Sequence, residues 1–422
     1  MRPLAPAAVS LAVLALATAA CAQAPGGGAK GEQSRPREEA TAGGAPVEQG
    51  QPNVPANRPA FPQQNRAPAV KTRTALAVTP VATGLDRPWA LAFLPDGRAL
   101  VTEKGGALKL VDLKTGYVSA PFLGVPKVND EDQSGLLDVL PARDFAQSKV
   151  VYLSFSEPRG EVNGLAILRA RLVEGQPGRL DEPQVIFRVE PGLKSGKHNG
   201  GRMAWGPDDK LYVTSGERSI LPGRMQAQHL DAAIGKVLRL NPDGSIPQDN
   251  PFVGRAGARP EIWSMGHRNP LSLAFDGQGR LWEVEMGPRG GDEVNVIRKG
   301  ADYGWPTIGY GEEYSGEPIH ATTQKAGMEQ PVYYWDPVIS PAGLTVYSGA
   351  LVPEWRGDLF IGGLSSKALV RLHMRDGRAV GEERLLTEKG KRIREVKQGP
   401  DGALYVLTDG KGGELWRVAP AG

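Results

Sequence analysis

The chain has 422 residues, of which 40% are hydrophobic, so it can bury a large core and is not a disordered polymer. Its 50 basic and 47 acidic residues leave a formal net charge of +3, which gives no reason to expect nucleic acid or a strongly acidic partner. The 55 glycines and 36 prolines favour many turns over long helices.

The first residues carry the pattern of an export signal. Arg2 precedes an apolar run over residues 4–20 that is short and alanine-rich for a membrane span, and small residues follow it. The single cysteine, Cys21, ends this run as in a lipoprotein signal, although Thr18 stands where leucine is usual. We therefore expect a signal peptide over residues 1–22. The exported protein is either periplasmic after conventional cleavage or anchored to the outer membrane through a lipid on Cys21.

The next stretch, residues 23–72, consists largely of glycine, proline, alanine, glutamine, asparagine and arginine. Such a composition buries too little apolar surface to offset the entropy that is lost on ordering. It predicts a disordered tether, or a mere spacer, in front of a folded domain over residues 73–422.

One pattern recurs through the folded domain: an apolar strand, a turn of proline, aspartate and glycine, and a second alternating strand. Full copies occupy residues 89–103, 203–214, 273–283 and 396–407. Two isolated inner strands, at residues 150–155 and 357–362, lack the full turn. Radial repetition of such hairpins predicts an all-β fold, a six-bladed β-propeller of four-stranded antiparallel blades, because roughly 350 residues at ~40–50 per blade, plus insertions, give six. A helical solenoid is disfavoured, since no segment keeps a 3.6-residue apolar period.

Of the five histidines in the chain, His198 has the most informative surroundings. Gly200 and Gly201 follow it and allow the backbone to approach a ligand closely, and an alternating strand follows the loop. An imidazole titrates near neutral pH, so His198 could act as a base toward a hydroxyl group. A loop histidine that only caps a turn is the alternative.

Other stretches of the chain are also rich in groups that a reaction could use. Gln133 supplies an amide that donates and accepts, and Arg268 with Asn269 supplies a guanidinium and a carboxamide. Arg392 and Arg394 are two apart on a strand, so both could face the same anion. Each group alone could be structural, as a turn or a basic strand edge. In a propeller, however, the loop of His198, the loop of Arg268 and the arginine pair would all precede a strand in comparable positions, which would bring them together at one mouth of the channel.

Residues 285–295 combine groups that calcium favours. Gly287 and Pro288 offer main-chain carbonyls without bulky side chains, and Asp292 and Glu293 add carboxylates. An Asp-Glu pair without the Gly-Pro unit is more often just solvated. The chain has no cysteine and histidine set with zinc spacing, no phosphate-binding glycine loop before a helix and no Gly-x-Ser-x-Gly motif.

Five stretches, in this order, resemble the soluble glucose/sorbosone dehydrogenases and among them the periplasmic aldose sugar dehydrogenases. They are HNGGR from residue 198, GHRNP from 266, GPRGGDEVN from 287, YGWP from 303 and RIR from 392. The likeness extends from about residue 85 to residue 417. It implies a six-bladed propeller that uses pyrroloquinoline quinone (PQQ) and calcium to oxidise an aldose at its anomeric carbon to the lactone. The electrons would leave through an unidentified quinone or cytochrome.

The resemblance also implies roles for single residues. His198 matches the base that removes the proton of the anomeric hydroxyl while hydride passes to the quinone, and Glu217 matches an acidic residue that orients it. Gln133 matches a polar residue that lines the pocket of substrate and quinone. Arg268 and Asn269 match the pair beside the quinone carbonyls, where Arg268 would stabilise charge developing on oxygen.

Further matches concern the metal and the carboxylates of the cofactor. The carbonyls of Gly287 and Pro288 match ligands of the calcium that grips and polarises the cofactor. Glu293 and Tyr303 resemble ligands of a second, structural calcium. The residues that match those binding the carboxylates of the cofactor are Arg392 and Arg394.

Some positions depart from the glucose-specific members. Ser365 stands where those members have a cofactor-binding lysine, and Lys367, two residues later, is the candidate to replace it. Lys197 replaces an acidic residue before the histidine, and Asp336 stands where they have an aromatic substrate contact. These changes favour a broader aldose preference over a pocket tuned to glucose.

Two other functions are alternatives. A calcium-dependent lactonase on the same architecture would need carboxylate and asparagine ligands that converge at the channel centre, and no arginine pair. A non-catalytic tethered propeller that binds a glycan or a protein would account for the fold, the signal and the tether. It gives no reason for His198 and Arg268 to occur together with a Gly-Pro calcium loop.

Overall fold

The computed structural model describes residues 44–422, and every structural statement below concerns that range. The expected signal peptide, with Cys21, and residues 23–43 of the expected tether lie outside the described residues. From residue 44 onward, no helix has the length and the apolar character that a membrane crossing requires.

Strands dominate the described chain, and its helices are few and short. The first strand is β1 (Leu76–Asp86). The strands of the first three blades follow in chain order: β2 (Pro88–Phe93), β3 (Arg98–Glu103), β4 (Ala107–Asp112), β5 (Leu136–Pro141), β6 (Val150–Arg159), β7 (Val162–Val173), β8 (Arg179–Arg188), β9 (Gly200–Trp205), β10 (Leu211–Ser215), β11 (Lys236–Leu240) and β12 (Ile262–Met265).

The other three blades contain β13 (Pro270–Phe275), β14 (Leu281–Glu285), β15 (Asp292–Ile297), β16 (Tyr333–Trp335), β17 (Pro341–Val346), β18 (Leu359–Gly363), β19 (Ala368–Arg375), β20 (Arg378–Leu385), β21 (Ile393–Gln398), β22 (Leu404–Thr408) and β23 (Lys411–Pro420). The helical elements are α1 (Phe145–Ser148), α2 (Leu221–Gln226) and the two 3₁₀ turns Pro353–Trp355 and Thr387–Lys389.

These strands form six antiparallel sheets that follow one another along the chain, which confirms the predicted six-bladed β-propeller. Five sheets have four strands. The sheet of the first blade, β2-β3-β4, has three, and the segment after it adds an isolated bridge between Val111 and Val118. The last blade joins both ends of the domain, because β1 pairs antiparallel with β23. This pairing closes the ring by joining the two ends of the domain in one sheet.

The predicted hairpins join the first two strands of their blades. In the turn between β2 and β3, the N–H of Leu94 donates to the C=O of Arg98 at 2.8 Å, and Gly97 has φ +84°. Gly402 has φ +82° in the matching turn between β21 and β22. A positive φ is strained for most residues with a Cβ atom, so glycine at this point favours the turn and, through it, the hairpin.

The second strand of a blade is buried on both faces because neighbouring blades cover it. β10, β14 and β22 consist of buried residues throughout. Leu100, Leu153 and Val213, from the second strands of the first three blades, are fully buried in the apolar core. This packing fixes the blades relative to one another and therefore fixes the loops at the ends of the channel.

The structure corrects the predicted tether for residues 44–72, which pack against the fourth and fifth blades. The carboxylate of Asp336 accepts the N–H groups of Asn53 at 2.8 Å and Val54 at 3.0 Å. Gln64 is fully buried and donates to the C=O of Pro331 at 2.9 Å. The segment has few apolar residues, but hydrogen bonds to the propeller satisfy its polar groups. Asp336, which the resemblance aligns with a substrate contact, is buried and binds this segment.

Strand direction brings the predicted site residues to one end of the ring. In an antiparallel blade, the start of the first strand and the end of the second strand lie at the same end. Gln133, His198 and Arg268 precede the first strands of the second, third and fourth blades, and Glu217 and Gly287 follow second strands. This connectivity gives the physical reason for the predicted meeting of these loops.

Candidate active site

A cavity of about 420 Å³ lies at this end of the ring, and residues of all six blades contribute to its wall. His198 and Arg268 are buried, and each is directly followed in the chain by a residue that lines the cavity. Four residues that the sequence analysis assigned to the site line the cavity directly: Gln133, Asn269, Arg392 and Arg394.

Hydrogen bonds and a close backbone approach shape the loop of His198. His198 has φ +45°, its N–H donates to Oε1 of Gln133 at 3.1 Å, and its C=O accepts the N–H of Arg218 at 3.2 Å. Gly200 has φ +67°, and a Cβ atom there would lie 2.8 Å from the nitrogen of Gly216. Glycine at position 200 therefore allows the loop to lie directly against the end of β10.

The imidazole of His198 is paired with a buried carboxylate. Its Nδ1 lies 2.5 Å from Oε1 of Glu217, and both side chains are almost fully buried. Burial, and then the charge of Arg268, lower the pKa of His198 to about 4, although Glu217 acts in the opposite direction. The ring is therefore neutral near pH 7. With the proton on Nδ1 donated to Glu217, Nε2 can accept another.

Arg268 connects the cavity with the Gly-Pro loop. Its Nη1 donates to the C=O of Met286 at 2.8 Å and to that of Gly287 at 2.6 Å, and its guanidinium lies 5.3 Å from the ring centre of Trp305. Nε of Arg268 and Oδ1 of Asn269 are buried and have no hydrogen-bond partner among residues 44–422. Buried polar atoms normally have partners, so these two indicate where a ligand binds.

Arg392, just before β21, and Arg394, within it, contact one carboxylate, as the prediction that both face the same anion requires. Nε of Arg392 lies 2.8 Å from Oδ2 of Asp409, and Nη2 of Arg394 lies 2.7 Å from Oδ1. All three side chains belong to residues that line the cavity. Two guanidiniums and one carboxylate together carry a net positive charge. This wall of the cavity therefore suits a ligand with carboxylate groups.

The four predicted metal ligands, Gly287, Pro288, Glu293 and Tyr303, line a second cavity of about 20 Å³. Asp292 fixes the loop between them: Oδ1 accepts the N–H of Gly287 at 2.8 Å, and Oδ2 accepts the N–H of Ser340 at 2.7 Å. Burial raises the pKa of Asp292 to about 7, against the effect of these hydrogen bonds. Asp292 thus ties the predicted metal loop to Ser340 in the wall of the larger cavity.

A buried acidic cluster adjoins this loop and was not predicted. His267, Glu283 and Glu285 bring their ligand atoms within 4.8 Å of one another, and Glu293 lies opposite Glu285 on the neighbouring strand. Burial, and then the charge of Glu285, raise the pKa of both Glu283 and Glu293. Glu285 and Glu293 also line the small cavity. Carboxylates in this number are typical calcium ligands, so the cluster extends the candidate metal region.

Comparison with known proteins decides the family. The sequence model described as Glucose / Sorbosone dehydrogenase matches residues 85–417. The chain belongs to this family. The match confirms the family that the motifs indicated, and the segment 44–72 lies outside it.

Individual members of the glucose/sorbosone dehydrogenase family are similar over most of their length. The chain is 43% identical over 341 residues to aldose sugar dehydrogenase YliI of Escherichia coli (strain K12), covering 80% of this chain and 91% of that protein. The solved apo-form of the soluble aldose sugar dehydrogenase of Escherichia coli has a TM-score of 0.79 at 42% identity, over 82% of this chain and 100% of that one. The PQQ-bound aldose sugar dehydrogenase of Streptomyces coelicolor has a TM-score of 0.69 at 30% identity, over 83% and 99%.

One residue assigned through the family motifs does not reach the cavity. Lys367 is exposed in the turn after β18, with φ +51°, and neither it nor Ser365 lines the cavity, whereas Leu364 does. Oγ of Ser365 donates instead to the C=O of Val338 at 3.2 Å. The geometry therefore gives no support to the prediction that Lys367 binds the cofactor.

Sequence reasoning missed several residues that line the cavity. Lys104 and Trp89 come from the first blade, and Tyr314 comes from the long connection between β15 and β16. No motif marks them, because each reaches the cavity only through the closure of the ring. The acidic cluster did leave a signal, since Glu283 and Glu285 are two apart on one strand and therefore share a face.

A buried ion network next to the cavity joins the innermost strands. Nη1 of Arg202 lies 3.2 Å from Oδ1 of Asp138 and also contacts Glu395, and its Nε donates to the C=O of Leu271 at 3.1 Å. Its guanidinium lies 4.5 Å from the ring centre of Trp89. These five residues belong to the first strands of five blades. The network therefore holds these strands together at the wall of the cavity.

Proposed function

We propose that the protein oxidises aldose sugars at the anomeric carbon to lactones, with hydride passing to PQQ that is held with calcium. The observation that carries the proposal is the buried His198–Glu217 pair beside a cavity with a cationic wall. The relatives support the choice of substrate and cofactor, because one is an aldose sugar dehydrogenase and another is solved with PQQ bound. PQQ, when bound, supplies the hydride acceptor, and a quinone or cytochrome would reoxidise it.

In this proposal, His198 carries out the proton transfer. Its low pKa keeps the ring in the form that accepts a proton, so Nε2 takes the proton of the anomeric hydroxyl as the C–H bond breaks. The carboxylate of Glu217, 2.5 Å from Nδ1, stabilises the imidazolium that results. Gln133 holds the loop in position through its bond to the His198 N–H.

The residues at the cavity fit an anionic quinone. Arg392 and Arg394 supply donors for its carboxylates. The unpartnered atoms of Arg268 and Asn269 supply polar contacts for its ring substituents. Arg268 would stabilise negative charge that develops on oxygen during the reaction.

The small cavity fits calcium. The carbonyl of Pro288, and that of Gly287, which also accepts from Arg268, would supply neutral oxygen ligands, which calcium accepts together with carboxylates. Glu293 and Tyr303 line the same cavity and are the candidates for a further calcium, and Glu285 adds a carboxylate there. A bound cation would offset the unfavourable proximity of the buried carboxylates.

The same geometry argues against the two alternatives. A lactonase of this architecture needs carboxylate and asparagine ligands at the channel centre, but there the guanidinium of Arg202 pairs with Asp138 and Glu395. The arginine pair at the cavity is also unexpected for such an enzyme. A propeller that only binds a partner gives no reason for a buried, neutral His198 held by Glu217.

Reconstitution tests the proposed function. The protein, freed of metal with a chelator, is supplied with PQQ and calcium, and dye reduction is followed with several aldoses. We expect turnover only when both are present. His198→Ala should lower kcat by about 10²–10⁴-fold while PQQ still binds, because only the proton acceptor is lost. The exposed His229→Ala is the matched control, and unchanged turnover in His198→Ala would refute the assigned role.

We also propose, from the sequence alone, that the protein is exported and lies in the periplasm or at the outer membrane. The apolar run before Cys21 supports this location. Mass spectrometry of the protein from its native host would distinguish a lipid on Cys21 from conventional cleavage. Full-length protein that keeps residues 1–22 in the cytoplasm would contradict export.

A further inference from the structure

Lys104 is held at the mouth of the cavity by main-chain contacts on both sides. Its N–H donates to the C=O of Arg87 at 3.0 Å, and its C=O accepts the N–H of Leu136 at 3.0 Å. Gly135, with φ +150°, lies against the same carbonyl, and a Cβ atom there would come within 2.3 Å of it. The position of Lys104 is therefore fixed between the start of the first blade and the loop that carries Gln133.

The ammonium group of Lys104 stands among other cations. Arg87 and Arg394 line the same cavity, and burial together with their charges lowers the pKa of Lys104, although the carboxylates of Asp130 and Asp132 act in the opposite direction. Arg87 lies 3.4 Å from a carboxylate oxygen of Asp130, and Arg394 contacts Asp409. In contrast, the only hydrogen bond that the Lys104 ammonium makes within residues 44–422 is to a main-chain carbonyl, that of the residue before Gln133.

This arrangement favours an anion at Lys104. Like charges in a partly buried cavity repel one another, and a bound carboxylate removes that repulsion. Lys104 would exchange its bond to a neutral carbonyl for an ion pair with a carboxylate, in which donor and acceptor are both charged. The other two cations would have to leave or share the carboxylates that they already contact. Among the cations of this wall, Lys104 is therefore the one that a new carboxylate can engage most readily.

We infer that Lys104 binds a carboxylate of the anionic cofactor and, with Arg392 and Arg394, forms a row of three cations along one wall. This assignment rests on the proposed function, because it takes PQQ as the ligand. Lys367, which is exposed and outside the lining, does not take part.

Equilibrium binding tests the assignment without turnover. PQQ is titrated into the calcium-loaded full chain in the absence of sugar, and the quenching of tryptophan fluorescence is measured. In Lys104→Met the Kd should rise about tenfold, as expected for the loss of one charge-assisted hydrogen bond. Lys104→Arg keeps the charge and should stay within about threefold of wild type. Lys367→Met is the matched control and should change the Kd by less than about twofold.

The following results would contradict the assignment of Lys104. An unchanged Kd in Lys104→Met overturns it, and so does an equal loss in Lys367→Met, which would reflect general surface charge. If Lys104→Met leaves the Kd unchanged but raises KM for a uronic acid and not for a neutral aldose, the carboxylate belongs to the substrate. If wild type binds no PQQ, the proposed function fails as well. Thermal melting checks folding, and Lys104→Gln is a second neutral variant.

Discussion

Two charged regions lie on either side of the Arg268 loop, whose next residue, Asn269, lines the cavity, and they differ in the solvation of their charges. At the mouth of the cavity, Arg392 and Arg394 share the carboxylate of Asp409, and the side chain of Arg392 is 47% exposed. In the fourth blade, the carboxylates of the acidic cluster are buried and crowd one another. The N–H of Arg268 donates to Oε2 of Glu285 at 2.6 Å and so links the two regions.

The difference lies in solvation. Partly exposed cations keep their charge at little cost and can exchange one anionic partner for another. Buried carboxylates have no water to solvate them, so they take up protons or bind a cation. We therefore expect the mouth to hold a ligand that can leave, and the cluster to hold an ion that contributes to the stability of the fold.

Removing the arginine pair is expected to have the largest effect. Arg392→Ala with Arg394→Ala removes hydrogen bonds to charged groups that contribute about 1.5–3 kcal/mol each, so the Kd for PQQ should rise by about 10²-fold or more. The melting temperature should also fall, because Arg392 is 47% exposed but Arg394 and Asp409 are each only 17% exposed, and the double variant leaves that carboxylate without its partners. Arg417→Ala removes a similar pair, with Asp401 in the same blade but outside the cavity, and is the control. Normal cofactor uptake by the double variant would contradict the assignment.

A smaller effect, on stability, is expected from Glu283→Gln in protein kept free of calcium. The folded pKa of Glu283 is raised, so the folded state binds more protons than the unfolded state above about pH 4.5. Stability should therefore fall as pH rises, and glutamine should remove that loss. We expect a gain of about 1–2 kcal/mol in the free energy of unfolding at about pH 8 relative to about pH 5.

Denaturant unfolding at the two pH values measures this gain, with the exposed Glu388→Gln as the control. Added calcium should raise the stability of wild type more than that of Glu283→Gln, because the variant lacks one carboxylate of the cluster. An identical response of both proteins to calcium and to pH would show that the acidic cluster does not behave as a buried, cation-binding region.

The smallest effect is expected from mild acid at His198. Burial, and then the charge of Arg268, lower the pKa of this residue. Its pKa is lowered from 6.5 to about 4, so kcat/KM of the reconstituted enzyme should change little between pH 7 and about pH 5 and fall only near pH 4. Over the same range the unfolded state binds more protons at this residue, so its contribution to stability falls as pH falls from 6.5 to about 4. A pH–rate profile with an acid limb near 6.5 would contradict the buried, neutral base.

Much of the fold and of the site could be predicted from sequence. The hairpins were predictable because strand periodicity and turns such as that at Gly97 are local properties. His198, Arg268 and the arginine pair were singled out because they lie in motifs at the start of first strands, and the order of these motifs matches a known family. The acidic cluster was missed because it depends on pairing between β14 and β15, which places Glu283 opposite Asn295.

Residues 44–72 show why amino-acid composition alone led to a wrong prediction of disorder. A segment with few aliphatic residues cannot form its own core, and on that basis it was predicted to be disordered. It is fixed instead by acceptors on distant parts of the chain: Asp336 accepts two of its N–H groups, and Glu383 accepts the N–H of Thr72 at 2.7 Å. Hydrogen bonds of this kind are specific to a folded surface and leave no periodic pattern in the segment that makes them.

The sequence by itself determined the strands, the turns between them and the motifs that carry the proposed base, the guanidiniums and the carbonyls of the proposed metal loop. Only the tertiary structure decided which charges reach the cavity, since it brings Lys104 to the wall and leaves Lys367 in solvent. The physical reason is distance along the chain. Periodicity and turn chemistry act over a few residues. The cavity, in contrast, forms when six blades close into one ring and bring together residues as far apart in the chain as Arg87 and Gly410.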